Sequence, residues 1–166
     1  MTYDFAGGWS TRAGHNSPLF ASSAEGPGAG SSAGTILHLL EKRKVPADRL
    51  ALGLPLYGRG FPVAEPRAPL PKGFKTFNVN AKGVGKLLAE GWTRVWDDEI
   101  KAPWLIAPDK TKVLGYDDAE SMKAKTEWAM SKGLRGVFFW QIDGDRLPDG
   151  SNPLQQAAHA AWSAGR

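Results

Sequence analysis

One run of residues restricts the fold of this chain more than any other: Gly136-Val137-Phe138-Phe139-Trp140-Gln141-Ile142. Its apolar side chains fall at consecutive positions, not alternate ones, so a strand made from it presents apolar surface on both faces. Such strands belong to parallel sheets covered by helices. A second run of this kind, Leu50-Ala51-Leu52-Gly53-Leu54-Pro55-Leu56-Tyr57, is bounded by Gly58-Arg59-Gly60. Pro55 donates nothing to a ladder and is expected near that strand's end.

Helical patterns surround these runs. Ile36, Leu37, Leu39 and Leu40 precede Glu41-Lys42-Arg43-Lys44, which predicts an amphipathic helix from about Ser32 to Lys44, stopped by Pro46. Asp117 with Glu120 reads as a capped helix start, and Gly133 as its end. A last helix is expected from Asn152 or Pro153 to Trp162. Residues 21–34, almost all Ala, Ser, Gly and Pro, read as a surface loop, and the proline-rich residues 61–73 as an irregular connection. The stretch 74–116 changes character. Phe74 to Phe77 reads as a short strand and Val79 to Glu90 as a helix capped by Gly91. Trp92–Trp96, Pro103–Ile106 and Lys112–Tyr116 read as short strands. The order strand, helix, strand, inserted module, helix, strand, helix predicts an α/β fold with parallel strands joined by crossovers. About three such strands make part of a barrel, since a closed one needs eight and roughly 250 residues.

Composition narrows the partners. The 21 Lys and Arg against 17 Asp and Glu leave a net charge of +4. Only Lys42-Arg43-Lys44 is dense, so there is no clustered basic face for nucleic acid. Cysteine is absent, which excludes disulfides and thiolate metal sites. His15, His38 and His159 match no zinc spacing and are expected in structural or solvent roles. No apolar run approaches the ~20 residues of a membrane span, so no membrane partner is expected. The N-terminus has neither basic start nor apolar stretch and reads as no signal peptide. A phosphate-binding loop at Gly85-Lys86 fails, because Asn80 and Leu87 stand where glycine and Ser or Thr are needed. No cofactor is implied.

Ligands in such folds meet the C-terminal strand ends. Three places put aromatic and polar groups there: Met1 with Tyr3 and Asp4, Tyr57 with Arg59, and Trp140 with Asp143 and Asp145. Aromatic faces stack on sugar rings while carboxylates and amides bind hydroxyls, so a saccharide cleft is expected.

These residues resemble the C-terminal portion of a family 18 glycoside hydrolase, a chitinase of the bacterial type. Met1-Thr2-Tyr3-Asp4-Phe5 looks like its M-x-Y-D signature at the sixth barrel strand. Residues 52–59 resemble the G-[LVI]-P-x-Y-G-R stretch at the seventh, and residues 136–145 resemble the G-x-x-x-W-x-x-D-x-D stretch at the eighth. Residues 96–104 are similar to its inserted domain, and residues 116–125 to the helix rejoining the barrel. The resemblance implies a partial (β/α)8 TIM barrel with strands like the sixth to eighth and a small α+β insertion. Its divisions are residues 1–61 as barrel, 62–116 as insertion and 117–166 as barrel again.

It also implies an activity: hydrolysis of β-1,4 bonds in N-acetylglucosamine polymers by a substrate-assisted, retaining mechanism. Tyr3 would bond the N-acetyl group and Asp4 the sugar or a polar neighbour. Trp140 would floor the cleft, Tyr57 and Arg59 would line it, and Met1 would pack beneath Tyr3. Asp143 is divided between ligand contact and loop structure. Chitin or chitooligosaccharide is the implied partner, and the parent enzyme's implied location is extracellular.

The family's acid lies in D-x-x-D-x-D-x-E at the fourth strand, and no such run occurs here. Asp143-Gly144-Asp145 is followed by Arg146, and Glu41, Glu90 and Glu120 fall on predicted helices facing solvent. The expectation is a polypeptide inactive alone, or else a non-catalytic protein binding chitooligosaccharides. Met1 coincides with the signature methionine, which reads as a start at an internal methionine. A complementing N-terminal barrel half is then a further expected partner, and unpaired sheet edges predict poor solubility.

Overall fold

The computed structural model describes residues 1–26 and 28–165. Pro27, inside the expected 21–34 loop, and Arg166 lie outside the described residues. The elements in chain order are α1 (Ser32–Leu37), β1 (Ala51–Pro55), β2 (Tyr57–Phe61), β3 (Phe77–Asn80), α2 (Ala81–Ala89), β4 (Thr93–Asp97), β5 (Ala102–Ile106), β6 (Val113–Gly115), α3 (Ala119–Ser131), β7 (Gly136–Trp140) and α4 (Pro153–Ala164). A π-helical turn, His38–Lys42, prolongs α1. The helix that begins at Ser32 shortens the expected loop, because the Ser31 side chain caps it at the Gly34 amide.

The two apolar runs pair as expected. β1 and β7 are parallel, with Leu52 opposite Val137 and Leu54 opposite Phe139. Helices α3 and α4 cover one face, where Leu52, Leu54, Met122, Ala129, Leu134, Leu154 and Ala158 form the largest buried cluster with Ile36 and Leu56. The other face of β7 is open: Phe138 is 37% and Trp140 54% exposed. The run therefore has apolar side chains on both faces but helices over only one. It also stops at Trp140, two residues early, and Ile142 is exposed.

The stretch 50–57 does not make one strand. Pro55 ends β1, the Leu56 amide donates to the Trp140 carbonyl at 2.7 Å, and Tyr57 opens a strand in a different sheet. That sheet has the order β3-β2-β6-β5-β4, every neighbour antiparallel. The change of period explains the break: Tyr57-Gly58-Arg59-Gly60 alternates, sending large polar side chains one way and glycines the other. The glycine face is tightly packed, since a Cβ on Gly60 would stand 2.0 Å from Phe77 Cζ and one on Gly58 2.7 Å from Tyr116 Cβ.

Three boundaries move for physical reasons. The expected strand at 74–77 starts only at Phe77, because Phe74 is packed against Phe61 at a ring separation of 6.1 Å. The cap of α3 is Asp118, not Asp117. Asp118 exchanges hydrogen bonds with Ser121 while Asp117 is taken by buried Lys125. Residues 1–5, expected as a sixth-strand segment, make no ladder of their own. They run beside β1, fastened by Thr2 Oγ1 donating to the Gly53 carbonyl at 2.6 Å. No closed barrel is formed among the described residues.

Candidate active site

Strands β2 and β3 build one wall. Their register sets Tyr57 opposite Asn80 and Arg59 opposite Asn78. Residues two apart on a strand share a face, so these four polar side chains stand together. Asp4 supplies the charge. Its backbone is left-handed at φ 61°, and its carboxylate accepts hydrogen bonds from the Tyr57 hydroxyl at 2.7 Å and from the Arg59 guanidinium. The backbone on either side is held: the Phe5 amide donates to the Asn16 carbonyl at 3.1 Å, and Asn16 Nδ2 donates to the Tyr57 carbonyl at 3.1 Å. Burial, then the bond to Asp4, pushes the Tyr57 pKa upward, so the phenol stays a donor.

Trp140 and Gln141, at the C-terminal end of β7, complete a cleft of about 320 Å³ lined by Asp4, Tyr57, Arg59, Asn78 and Asn80. Tyr3 stands beside it, only 8% exposed. Its ring meets Tyr57 edge-on at 6.2 Å and Phe138 edge-on at 6.5 Å. Phe138 and Trp140 share a face of β7, so the phenol of Tyr3 and the indole of Trp140 lie on one side of the sheet. The Tyr3 hydroxyl is buried without a hydrogen-bond partner among the described residues. Burial first, and the Asp4 charge second, raise its pKa and keep it protonated. A buried donor left unpaired in the protein is an available contact for a ligand acceptor.

The structure thus brings together Tyr3, Asp4, Tyr57, Arg59 and Trp140. Three other sequence candidates stand apart. Met1 does not pack beneath Tyr3. It is 86% exposed, because the chain is anchored one residue later, at Thr2. Asp143 is outside the cleft lining; it accepts from Gln141 Nε2 at 2.8 Å and faces Lys82 Nζ at 3.9 Å. Asp145 is buried and structural, accepting from the Leu154 amide at 2.8 Å and the Gln155 amide at 3.1 Å at the start of α4. Among the three glutamates weighed as acids, Glu41, Glu90 and Glu120, all are exposed and none lines the cleft.

Four residues were missed by sequence reasoning: Asn78, Asn80, Gln141 and Trp9. The alternation Phe77-Asn78-Val79-Asn80 carried a signal for the first two, since a half-buried strand places its polar residues on one face. Trp9 is 67% exposed, with the Arg59 guanidinium 5.7 Å from its ring centroid. Gly7 permits that pose, since a Cβ there would lie 2.4 Å from the indole. A larger groove of about 540 Å³ lies elsewhere, between Phe77, Leu87, Trp92 and Pro108. No residue lining it carries an unpartnered buried polar atom, whereas Arg59 in the cleft does.

Comparison with known proteins decides the family. The profile described as "Glycosyl hydrolases family 18" matches residues 1–145. The chain belongs to glycosyl hydrolase family 18. Chitinase A1 of Niallia circulans is 36% identical over 180 residues, covering 93% of this chain and 25% of its own length. The crystal structure of the Ostrinia furnacalis Group IV chitinase in complex with allosamidin superposes with a TM-score of 0.86 at 29% identity, covering 99% of this chain and 49% of that one. Chitinase ChiW of a Paenibacillus, described as cell-surface-expressed and multi-modular, gives 0.84 at 33% identity, covering 98% of this chain and 19% of its own. The chain therefore spans a quarter to a half of the family 18 chitinases named first and second.

Proposed function

We propose that this chain is the glycan-binding wall of a family 18 chitinase, holding N-acetylglucosamine units while the remainder of the parent enzyme supplies the proton donor. One observation carries the reading: the unpartnered, buried Tyr3 hydroxyl stands beside a carboxylate that Tyr57 and Arg59 fix, with an exposed indole on the same side. A sugar lying on Trp140 presents its polar edge to Asp4, Asn78, Asn80 and Gln141, and its N-acetyl group to Tyr3.

In the parent enzyme the acid protonates the glycosidic oxygen as the N-acetyl carbonyl oxygen attacks C1. The bond from C1 to the leaving oxygen breaks, an oxazolinium ion forms, and water then opens it with retention. Tyr3 and Asp4 contribute to this by orienting the acetamido group and stabilising charge that develops on it. They do not donate the proton to the leaving oxygen, a contribution of about 10²–10⁴-fold, so the chain alone binds without hydrolysing. In this reading residues 1–61 and 117–166 are pieces of a (β/α)8 barrel and residues 62–116 an α+β insertion. The edge of β7 that does not pair with β1 then receives the remaining barrel strands, which leaves Trp140 open to the cleft. The parent works outside the cell, where chitin lies.

The test is titration with N-acetylglucosamine oligomers, followed by tryptophan fluorescence, with glucose oligomers of equal length as control. Saturable quenching by the acetylated series alone is the expected result; equal response to both removes the assignment of Tyr3. Release from a chromogenic chitobioside at the rate of a full-length enzyme would overturn the claim of binding without turnover. A pull-down with the N-terminal half of a related chitinase tests whether the free β7 edge accepts the missing strands.

A further inference from the structure

Thr2, the residue before Tyr3, is the convergence point of a buried polar chain that begins far from the cleft. Lys125, on α3, is fully buried. Its ammonium donates to Asp117 Oδ1 at 2.5 Å and to Ser17 Oγ at 3.1 Å. Ser121 Oγ donates to the same Asp117 oxygen at 2.7 Å, which fixes the carboxylate. Ser17 Oγ then passes its own hydrogen to the Thr2 carbonyl at 2.7 Å, and Ser32 Oγ approaches that carbonyl at 3.2 Å. On its other side the Thr2 hydroxyl grips Gly53.

Stability alone does not account for this arrangement. Taking an ammonium and a carboxylate out of water costs several kcal/mol per ion, and an apolar pair of similar volume at such a place is often neutral or better. What the ion pair does that an apolar pair cannot is orient a hydrogen. With its acceptor side engaged by Lys125, the Ser17 hydroxyl can point its one hydrogen only onward, to Thr2. That direction matters because Asp4 sits in the left-handed region two residues later. A non-glycine residue keeps such a conformation only where its surroundings over-determine it.

We propose that Lys125 is a positioning residue for the cleft: through Ser17 it fixes the Thr2 carbonyl and so sets where Tyr3 and Asp4 stand. Lys125 touches no ligand. The assignment rests on the reading of the cleft given above, and it extends the functional unit to α3, which contributes nothing to the cleft lining.

Two variants test it. Ser17→Ala cuts the link and leaves the ion pair whole; the double variant Asp117→Asn, Lys125→Met removes both charges together, avoiding an unpaired buried ion. Amide hydrogen exchange is read at Phe5, whose N–H bonds to Asn16, and at Leu56, whose N–H bonds to Trp140. Both variants are expected to speed exchange about ten-fold at Phe5, the size of one net hydrogen bond, and to leave Leu56 within about two-fold. The preference for the N-acetylglucosamine tetramer over the glucosamine tetramer should fall by a similar factor. An unchanged Phe5 rate in either variant overturns the proposal, as does equal acceleration at Phe5 and Leu56, which would mean general loosening. If the unaltered chain bound neither tetramer, the functional reading would fail, and the exchange rates would still decide whether Lys125 positions the segment.

Discussion

His15 makes the chain's stability depend on pH in a calculable way. The ring is 1% exposed, edge-on to Trp104 at 5.0 Å. Its Nδ1 accepts from the Ser17 amide at 3.0 Å, while Nε2 reaches the carbonyls of Pro103 and Tyr116, each at 3.1 Å. An acceptor on one nitrogen and a donor on the other describe the neutral imidazole. A proton added to Nδ1 would have to displace the Ser17 amide. Burial, the largest influence, accordingly lowers its pKa from 6.5 to about 4, outweighing the nearby Asp117 charge that acts the other way. Unfolded, the same histidine titrates at its ordinary value. Between the two values the unfolded chain holds one proton more than the folded one, so stability falls as pH falls. The slope is about 1.4 kcal/mol per pH unit, and the whole window is worth about 3 kcal/mol. Above pH 6.5 the contribution is fully present. The measurement is a set of urea unfolding curves from pH 7.5 to 4.5 for the chain and for His15→Gln, which keeps a donor and an acceptor but cannot titrate. Subtracting the two series removes the carboxylates common to both, including Glu25, whose burial-raised pKa acts in the opposite sense. The difference curve should slope by one proton below pH 6.5. Parallel curves would show that His15 does not stay neutral in the fold, and the reasoning would fail.

Other perturbations have defined outcomes. Trp140→Ala should weaken binding of an N-acetylglucosamine tetramer by about 1–3 kcal/mol, as loss of one aromatic stacking platform does, with no change in the urea midpoint because the indole is half exposed; calorimetric titration checks the first and urea unfolding the second. Gly60→Ala should cost about 1–3 kcal/mol in urea unfolding by overpacking, since its Cβ would stand 2.0 Å from Phe77 Cζ. Lys125→Met alone should destabilise by about 3–5 kcal/mol, because it strands the buried Asp117 charge; the neutral double variant with Asp117→Asn should recover most of that in the same assay.

What could be read from the residues follows from range of interaction. Local periodicity announced β7, α4 and the helix-strand alternation, because a covered parallel strand and an amphipathic helix each write their burial into adjacent positions. The candidate site was expected at three strand ends sharing aromatic and charged chemistry, and the structure gathers Tyr3, Asp4, Tyr57, Arg59 and Trp140 into one neighbourhood although residues 1–5 form no strand. The failures are of long range. The alternation Tyr57-Gly58-Arg59-Gly60 marks a change of period, but nothing local says which sheet Tyr57 joins, since that is set by a glycine face packing on Phe77 and Tyr116 far along the chain. Asp117 looked like a helix cap by spacing, and only the presence of Lys125 beneath it hands that task to Asp118. Asn78 and Asn80 joined the site through pairing register, which no single segment specifies.

The break at Leu56 also explains why the cleft is where it is. It lies at the joint between the parallel pair and the antiparallel sheet, and its central contact crosses that joint: Asp4 runs beside β1, while Tyr57 and Arg59 belong to β2. The Asp4 side chain is 45% exposed and that of Arg59 13%, so screening by water leaves their pairing worth about 0–1 kcal/mol. The left-handed backbone at Asp4 costs more than that, roughly 1–3 kcal/mol. The ion pair therefore does not offset the strain it accompanies, and its consequence is geometric. It fixes a carboxylate of one body against a phenol and a guanidinium of the other, so movement of the antiparallel sheet relative to β1 must drag or break that contact. Cleft width and carboxylate orientation are thereby coupled.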